Sequence, residues 1–206
     1  MKKFYLSILV VFCASFSAFS QEFASPSYYK PETEPTSKIY LGLGGGINNY
    51  LGLLGPSAEI QVAPKFTLFG GAGLGSWGNK VSFGGRFYNK YPSNWAFGLG
   101  ISHSGGMDKT DLNLPAEYVV GASSSVTVPV KLKSANTLNI SATRFWLIGT
   151  RRKNRLNVEI GYAAMLAAKQ FVVLDSRYQL TGQGIGFMNT LQPGGLNLGV
   201  GLSFGL

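Results

Sequence analysis

From residue 38 onward, apolar and polar residues alternate along most of the chain. Successive side chains of a strand point to opposite faces, so this period predicts strands with one apolar face and one polar or bare face. The last eleven residues alternate without a fault: Leu196, Leu198, Val200, Leu202, Phe204 and Leu206 stand against Asn197, Gly199, Gly201, Ser203 and Gly205. The same pattern places strands over 38–47, 58–62, 66–77, 81–88, 95–102, 137–148 and 156–164, which with the last makes eight.

The breaks in the pattern predict the connections. Ala63-Pro64-Lys65 makes a tight turn, because proline has no place in a strand interior. Gly78-Asn79-Lys80 reads as a hairpin turn. Residues 89–94, with Pro92, and the basic stretch 150–155 turn the chain again. Residues 48–56, 103–136 and 167–194 read as loops. Within the second of these, Val126, Val128, Val130 and Leu132 resume the alternation, but Pro129 demotes the piece to an edge strand or a loop extension. Counting it as a barrel strand requires another near 171–180 and gives ten. The period blurs at Arg144-Phe145-Trp146, where a bulge is expected.

Composition narrows what these strands can be. Apolar residues make up 45% of the chain and charged residues 13%, about half the usual charged share of roughly 25%. Beyond the first twenty residues no apolar run approaches the ~18 residues of a helical span. Residues 1–20 read as a secretory signal: Lys2 and Lys3, a mostly apolar run, then Ala18-Phe19-Ser20 as a small-x-small cleavage site. The lone cysteine, Cys13, lies in that segment, which leaves no thiol for a disulfide, a thiolate nucleophile or a metal once it is removed. Phe12 is too large to precede the acylated cysteine of a lipoprotein. Residues 21–37, with Pro26, Pro31 and Pro35, read as an extended linker. The net charge is +9, or +7 without Lys2 and Lys3. No nucleic-acid-binding motif accompanies that charge, so nucleic acid is not an expected partner.

The signal, the alternating strands, the aromatic residues near strand ends (Trp77, Tyr88, Trp95, Trp146) and the terminal strand together resemble the small bacterial outer-membrane β-barrel proteins. That family includes the membrane domain of outer-membrane protein A. The resemblance covers residues 38–206. It implies an all-β, antiparallel up-and-down transmembrane β-barrel of eight strands (alternatively ten), integral to the outer membrane. The linker 21–37 and the C-terminus would be periplasmic, and residues 48–56, 78–80, 103–136 and 167–194 would lie outside. The expected partners are outer-membrane lipid, the phosphates of lipopolysaccharide, and the barrel-assembly machinery that reads the final strand. That signal usually ends in an aromatic residue; here Leu206 is last and Phe204 is third from the end.

The interior of an eight-stranded barrel is about filled by side chains. The inward set read from the alternation includes Glu59, Gln61, Arg86, Asn139, Asn157 and Glu159. A buried unpaired charge is expensive, so Arg86 is expected to bridge Glu59 and Glu159 as a polar plug, or as a gate in a more active role. The inward glycines, among them Gly42, Gly44, Gly98, Gly100, Gly199 and Gly201, either leave a cavity or admit large neighbours such as Tyr40 and Tyr88. Some eight-stranded barrels are lipid A deacylases with His, Ser and an acidic residue near the outer rim. His103, Ser104 and Glu117 form the matching candidate here, but adjacent strand residues point to opposite faces and the spacing departs from His-x-Ser. No cofactor is expected. One histidine and no available cysteine make no transition-metal set, and Asp108, Asp111 and Glu117 lack EF-hand spacing. Asn139-Ile140-Ser141 matches a glycosylation sequon only by chance, since it lies on an inward-facing strand. The expected role is structural or surface-interacting, through the long loops, and without catalysis. A narrow, porin-like channel or small-ligand carrier is the alternative, and a rim-site lipid-modifying enzyme the third reading.

Overall fold

The structure is a computed structural model that describes residues 37–149, 152–167 and 171–206. The expected signal, and the linker up to residue 36, lie outside the described residues. The elements in chain order are β1 (Ile39–Ile47), β2 (Gly55–Ala63), β3 (Phe66–Gly75), β4 (Gly78–Lys90), β5 (Ser93–Ser104), β6 (Met107–Leu114), β7 (Val126–Leu132), β8 (Ala135–Ile148), β9 (Asn154–Met165), β10 (Phe171–Val173), α1 (Gly182–Leu191) and β11 (Gly195–Gly205).

Eight of these strands close into one antiparallel barrel in the order β1-β11-β9-β8-β5-β4-β3-β2. Each barrel strand pairs with the next barrel strand in sequence, an up-and-down path. The seam runs from Tyr40↔Gly205 to Ile47↔Leu198, so no barrel edge is left unpaired. The alternation resolves into two faces. Tyr40, Glu59, Thr67, Arg86, Thr143, Phe145, Glu159 and Asn197 are buried inside. Leu43, Phe83, Phe97, Ile101, Ile140 and Val200 are exposed on the outside, Phe97 to 64%. Residues 64–65, 91–92 and 149–153 connect strands at one end of the barrel. At the other end lie the β1–β2 loop, the β3–β4 turn and both long connections.

Those long connections are not plain loops. β10, β7 and β6 form a separate three-stranded sheet. It packs with α1 around Trp77, Leu114, Val119, Val128, Val130, Leu132 and Met188. This second core makes a small cap at the loop end. Thr181 caps α1, its side-chain oxygen accepting from Gly184 N at 3.2 Å. No helix among the described residues is long and apolar enough to cross a membrane.

Several local expectations are corrected. The piece with Pro129 lies outside the barrel, but as the central strand of the cap sheet rather than an edge. Pro129 O accepts from Leu174 N at 2.9 Å, just past the end of β10. N and O of a strand residue point to the same side, so the missing N–H faces the end of β10, where only the reciprocal bond to Leu174 O is forgone, and the pairing with β6 is untouched. The strand of the ten-strand count exists as β10, but it pairs with β7 and not in the barrel. The β3–β4 turn is Ser76-Trp77, two residues before the expected site. Gly78 has φ +88° and already pairs with Gly75, so its glycine signal marks the first residue after the turn. No bulge interrupts β8, because its pairing with β5 runs unbroken through Arg144 to Phe145 and its pairing with β9 runs unbroken through Trp146 to Ile148. The pattern blurs there because the inward position is aromatic and the outward one charged. In the barrel the register shifts lie instead at Gln61/Ala63 and Tyr88/Lys90. Of the aromatic residues expected near strand ends, Trp77 lies in the β3–β4 turn and is buried in the cap core, and Tyr88 is buried in the lumen.

Candidate functional site

The polar interior is built from side chains on most of the barrel strands, with β2, β4, β8, β9 and β11 supplying the ionic cluster and its hydrogen-bond partners. Arg86 projects inward from β4, flanked by Thr67 on β3 and Gly98 on β5. A Cβ at Gly98 would meet Arg86 Cγ at an ordinary 3.5 Å but Ser141 Oγ at 2.8 Å, so the glycine makes room for the Ser141 hydroxyl. Arg86 Nη1 donates to Glu59 Oε2 on β2 at 2.9 Å, and Nη2 donates to Glu159 Oε2 on β9 at 3.1 Å. Its guanidinium lies 4.1 Å from the Phe69 ring centroid and 4.9 Å from that of Tyr50. Burial among rings strengthens the electrostatic attraction of each contact and raises the penalty for leaving any charge unpaired.

A second cation joins the cluster. Arg155, 0% exposed, places Nη2 3.2 Å from Glu59 Oε2 and donates from Nη1 to Tyr88 Oη at 3.0 Å. Its guanidinium stacks 3.5 Å over the Tyr40 ring. The Tyr88 hydroxyl donates to Glu59 Oε1. Glu159 also accepts from Asn197 Nδ2 at 3.0 Å, Asn49 Nδ2 at 3.2 Å and Thr143 Oγ1 at 3.2 Å. Glu59, Arg86 and Glu159 are thus brought together, with Arg86 between the two carboxylates. Arg155 was read as part of the basic turn. The period of two that links Arg155, Asn157 and Glu159 is the signal that places it inside.

The loop end of the lumen is closed by the β1–β2 loop. Asn49, Tyr50 and Leu51 are buried. Lys80 Nζ donates to Asn49 O at 2.8 Å and Asn48 O at 3.2 Å. Ser82 Oγ donates to Tyr50 O at 2.5 Å. Inward glycines make the space. A Cβ at Gly199 would fall 2.1 Å from Asn49 Nδ2, and one at Gly71 would fall 2.2 Å from Leu51 Cδ2. The occupant of that space is the β1–β2 loop, while Tyr88 stacks lower down with Tyr91 and Phe145.

The rim candidates do not converge. His103 lies on the exposed face of β5 with Nδ1 2.7 Å from Asn136 Oδ1. Ser104, the next residue, is buried on the inner face. Glu117 is exposed in a 3-10 turn of the cap, Ala116–Tyr118. Asp108 on β6 accepts from Lys131 Nζ at 2.7 Å, and that bond holds its carboxyl below the ordinary value. Among the described residues, no three His, Cys, Asp or Glu side chains are grouped to hold a metal ion. Compared with protein-family models, with curated proteins and with solved structures, the chain matches none.

Proposed function

We propose that the chain is an integral outer-membrane β-barrel whose role is structural or surface-interacting, with the cap as the part that meets a surface partner. The observation that carries this reading is the inverted barrel. Ion pairs, amides and hydroxyls fill the inside, while large apolar side chains stand exposed around the outside. A soluble protein leaves only limited apolar patches open, whereas a membrane barrel needs a continuous apolar band. The barrel strands run from 9 to 14 residues. At ~3.4 Å per residue and a tilt of ~40°, even the shorter ones cover most of the ~25 Å band.

The lumen supports a plug rather than a path. A channel or carrier has to displace the β1–β2 loop and the Glu59–Arg86–Glu159 bridge together. Lipid surrounds the belt in this reading, lipopolysaccharide neighbours the loop end, and the assembly machinery acts during insertion. The test combines fractionation with conductance. The full chain expressed in a Gram-negative host is expected to stay in the outer-membrane fraction after alkaline carbonate washing. The refolded wild type is expected to carry no steady current in planar bilayers. Release by carbonate overturns the membrane reading, and a steady wild-type current overturns the plug.

A further inference from the structure

We propose that the short-turn rim of the barrel is a docking surface for anionic phospholipid, centred on Arg144 between Trp95 and Trp146. The proposal rests on the membrane reading above. Along the barrel strands, outward positions are apolar or small until the strand ends, and Arg144 is the charged residue that interrupts them. It sits on β8 directly opposite Trp95 on β5, with Trp146 two residues further along its own strand. The guanidinium lies 5.8 Å from the Trp95 ring centroid and 5.6 Å from that of Trp146. Arg144 Nη1 donates to Asn94 Oδ1 at the start of β5, which orients the group. No acidic side chain pairs with Arg144 among the described residues. Indole rings favour the level of lipid headgroups, and a guanidinium stacked on aromatic faces keeps donors that fit phosphate oxygens.

The surroundings supply the charge complementarity. Lys90 and Lys153 lie on or beside the two turns adjacent to Arg144, while Lys65 and Lys38 lie at the same end on the far side of the ring. No described acidic side chain lies at this end: Glu59 and Glu159 face inward, and the others belong to the cap. In the cap, Asp108, Asp111, Glu117 and Asp175 are matched by Lys109, Lys131, Lys133 and Arg177 among the described residues. Among the described residues, and apart from Lys80 buried under the β1–β2 loop, the surplus positive charge of the barrel therefore lies at the rim that carries the two tryptophans. With that rim facing the periplasm, the anion within reach is the phosphate of an inner-leaflet phospholipid.

The tryptophans provide the readout. Trp95 and Trp146 flank the site, while Trp77 is buried in the cap core. The full chain is reconstituted into phosphatidylcholine vesicles that contain a minor fraction of either phosphatidylglycerol or phosphatidylcholine brominated near the headgroup. Tryptophan quenching is then compared. One well-placed cation is expected to enrich the anionic lipid locally by about fivefold, so the phosphatidylglycerol probe quenches more strongly. Arg144→Gln is expected to remove most of the excess while leaving quenching by brominated phosphatidylcholine in place, which confirms that the variant is inserted. High salt reduces the excess in the wild type. Equal quenching by the two probes overturns the lipid proposal and leaves the membrane reading standing. Quenching by neither overturns both.

Discussion

Among the described residues, Arg86 is the only cation in direct contact with Glu159, whereas Glu59 is shared between Arg86 and Arg155. The two arginines are therefore not equivalent. Arg86→Met leaves Glu159 buried with amide and hydroxyl partners but no countercharge, and breaking a buried pair from one side costs about 3–5 kcal/mol. Arg155→Met leaves Glu59 paired with Arg86 and is expected to lose less. Urea unfolding of the refolded barrel in vesicles should show that order, and the double variant Arg86→Met/Glu159→Gln should recover part of the loss. A larger loss from Arg155→Met would shift the centre of the cluster to Glu59. The bridge was legible in the sequence because Glu59, Arg86 and Glu159 each occupy an inward position of an alternating strand. Arg155 was not, because it follows Arg151-Arg152-Lys153 and shares their turn-like composition.

At the level of elements, the alternation located the eight barrel strands because each presents one face to the lumen and one to the outside. It found neither the inserted β1–β2 loop nor the cap helix. Asn49-Tyr50-Leu51 has the composition of any loop, and its burial depends on glycines from distant strands. α1 carries Gly182, Gly184 and Gly186, which lower helix propensity and read as loop. Packing of Met188 into the cap core and the Thr181 cap outweigh that composition. The loop makes a direct prediction. In Gly199→Val the added side chain occupies the place of Asn49 Nδ2 and breaks its bond to Glu159. Losing that buried hydrogen bond is expected to cost about 1–3 kcal/mol. The loop over 48–54 should become protease-sensitive while the barrel strands stay protected. An unchanged urea midpoint and continued protection of the loop would mean that Asn49 contributes nothing to the seal.

For the whole molecule, the decisive property is its polarity from end to end. One end carries the cap, with its own core and, among the described residues, balanced charge; the other carries three short turns and a cation-rich rim. Membrane barrels place long connections outside and short turns in the periplasm, so Lys109 in the cap and Lys65 in the β2–β3 turn should lie on opposite sides of the bilayer. Residues 21–206 contain no cysteine, so with Cys13 replaced by Ala a single introduced thiol reports its own position. Both sites are exposed, and neither lysine takes part in the lumen cluster. A membrane-impermeant maleimide is expected to label Lys109→Cys in intact cells and Lys65→Cys only after the outer membrane is breached. The reverse pattern would turn the barrel over. The cation-rich rim would then face the outer leaflet, and lipopolysaccharide phosphate, rather than an inner-leaflet phospholipid, would be the anion that Arg144 meets.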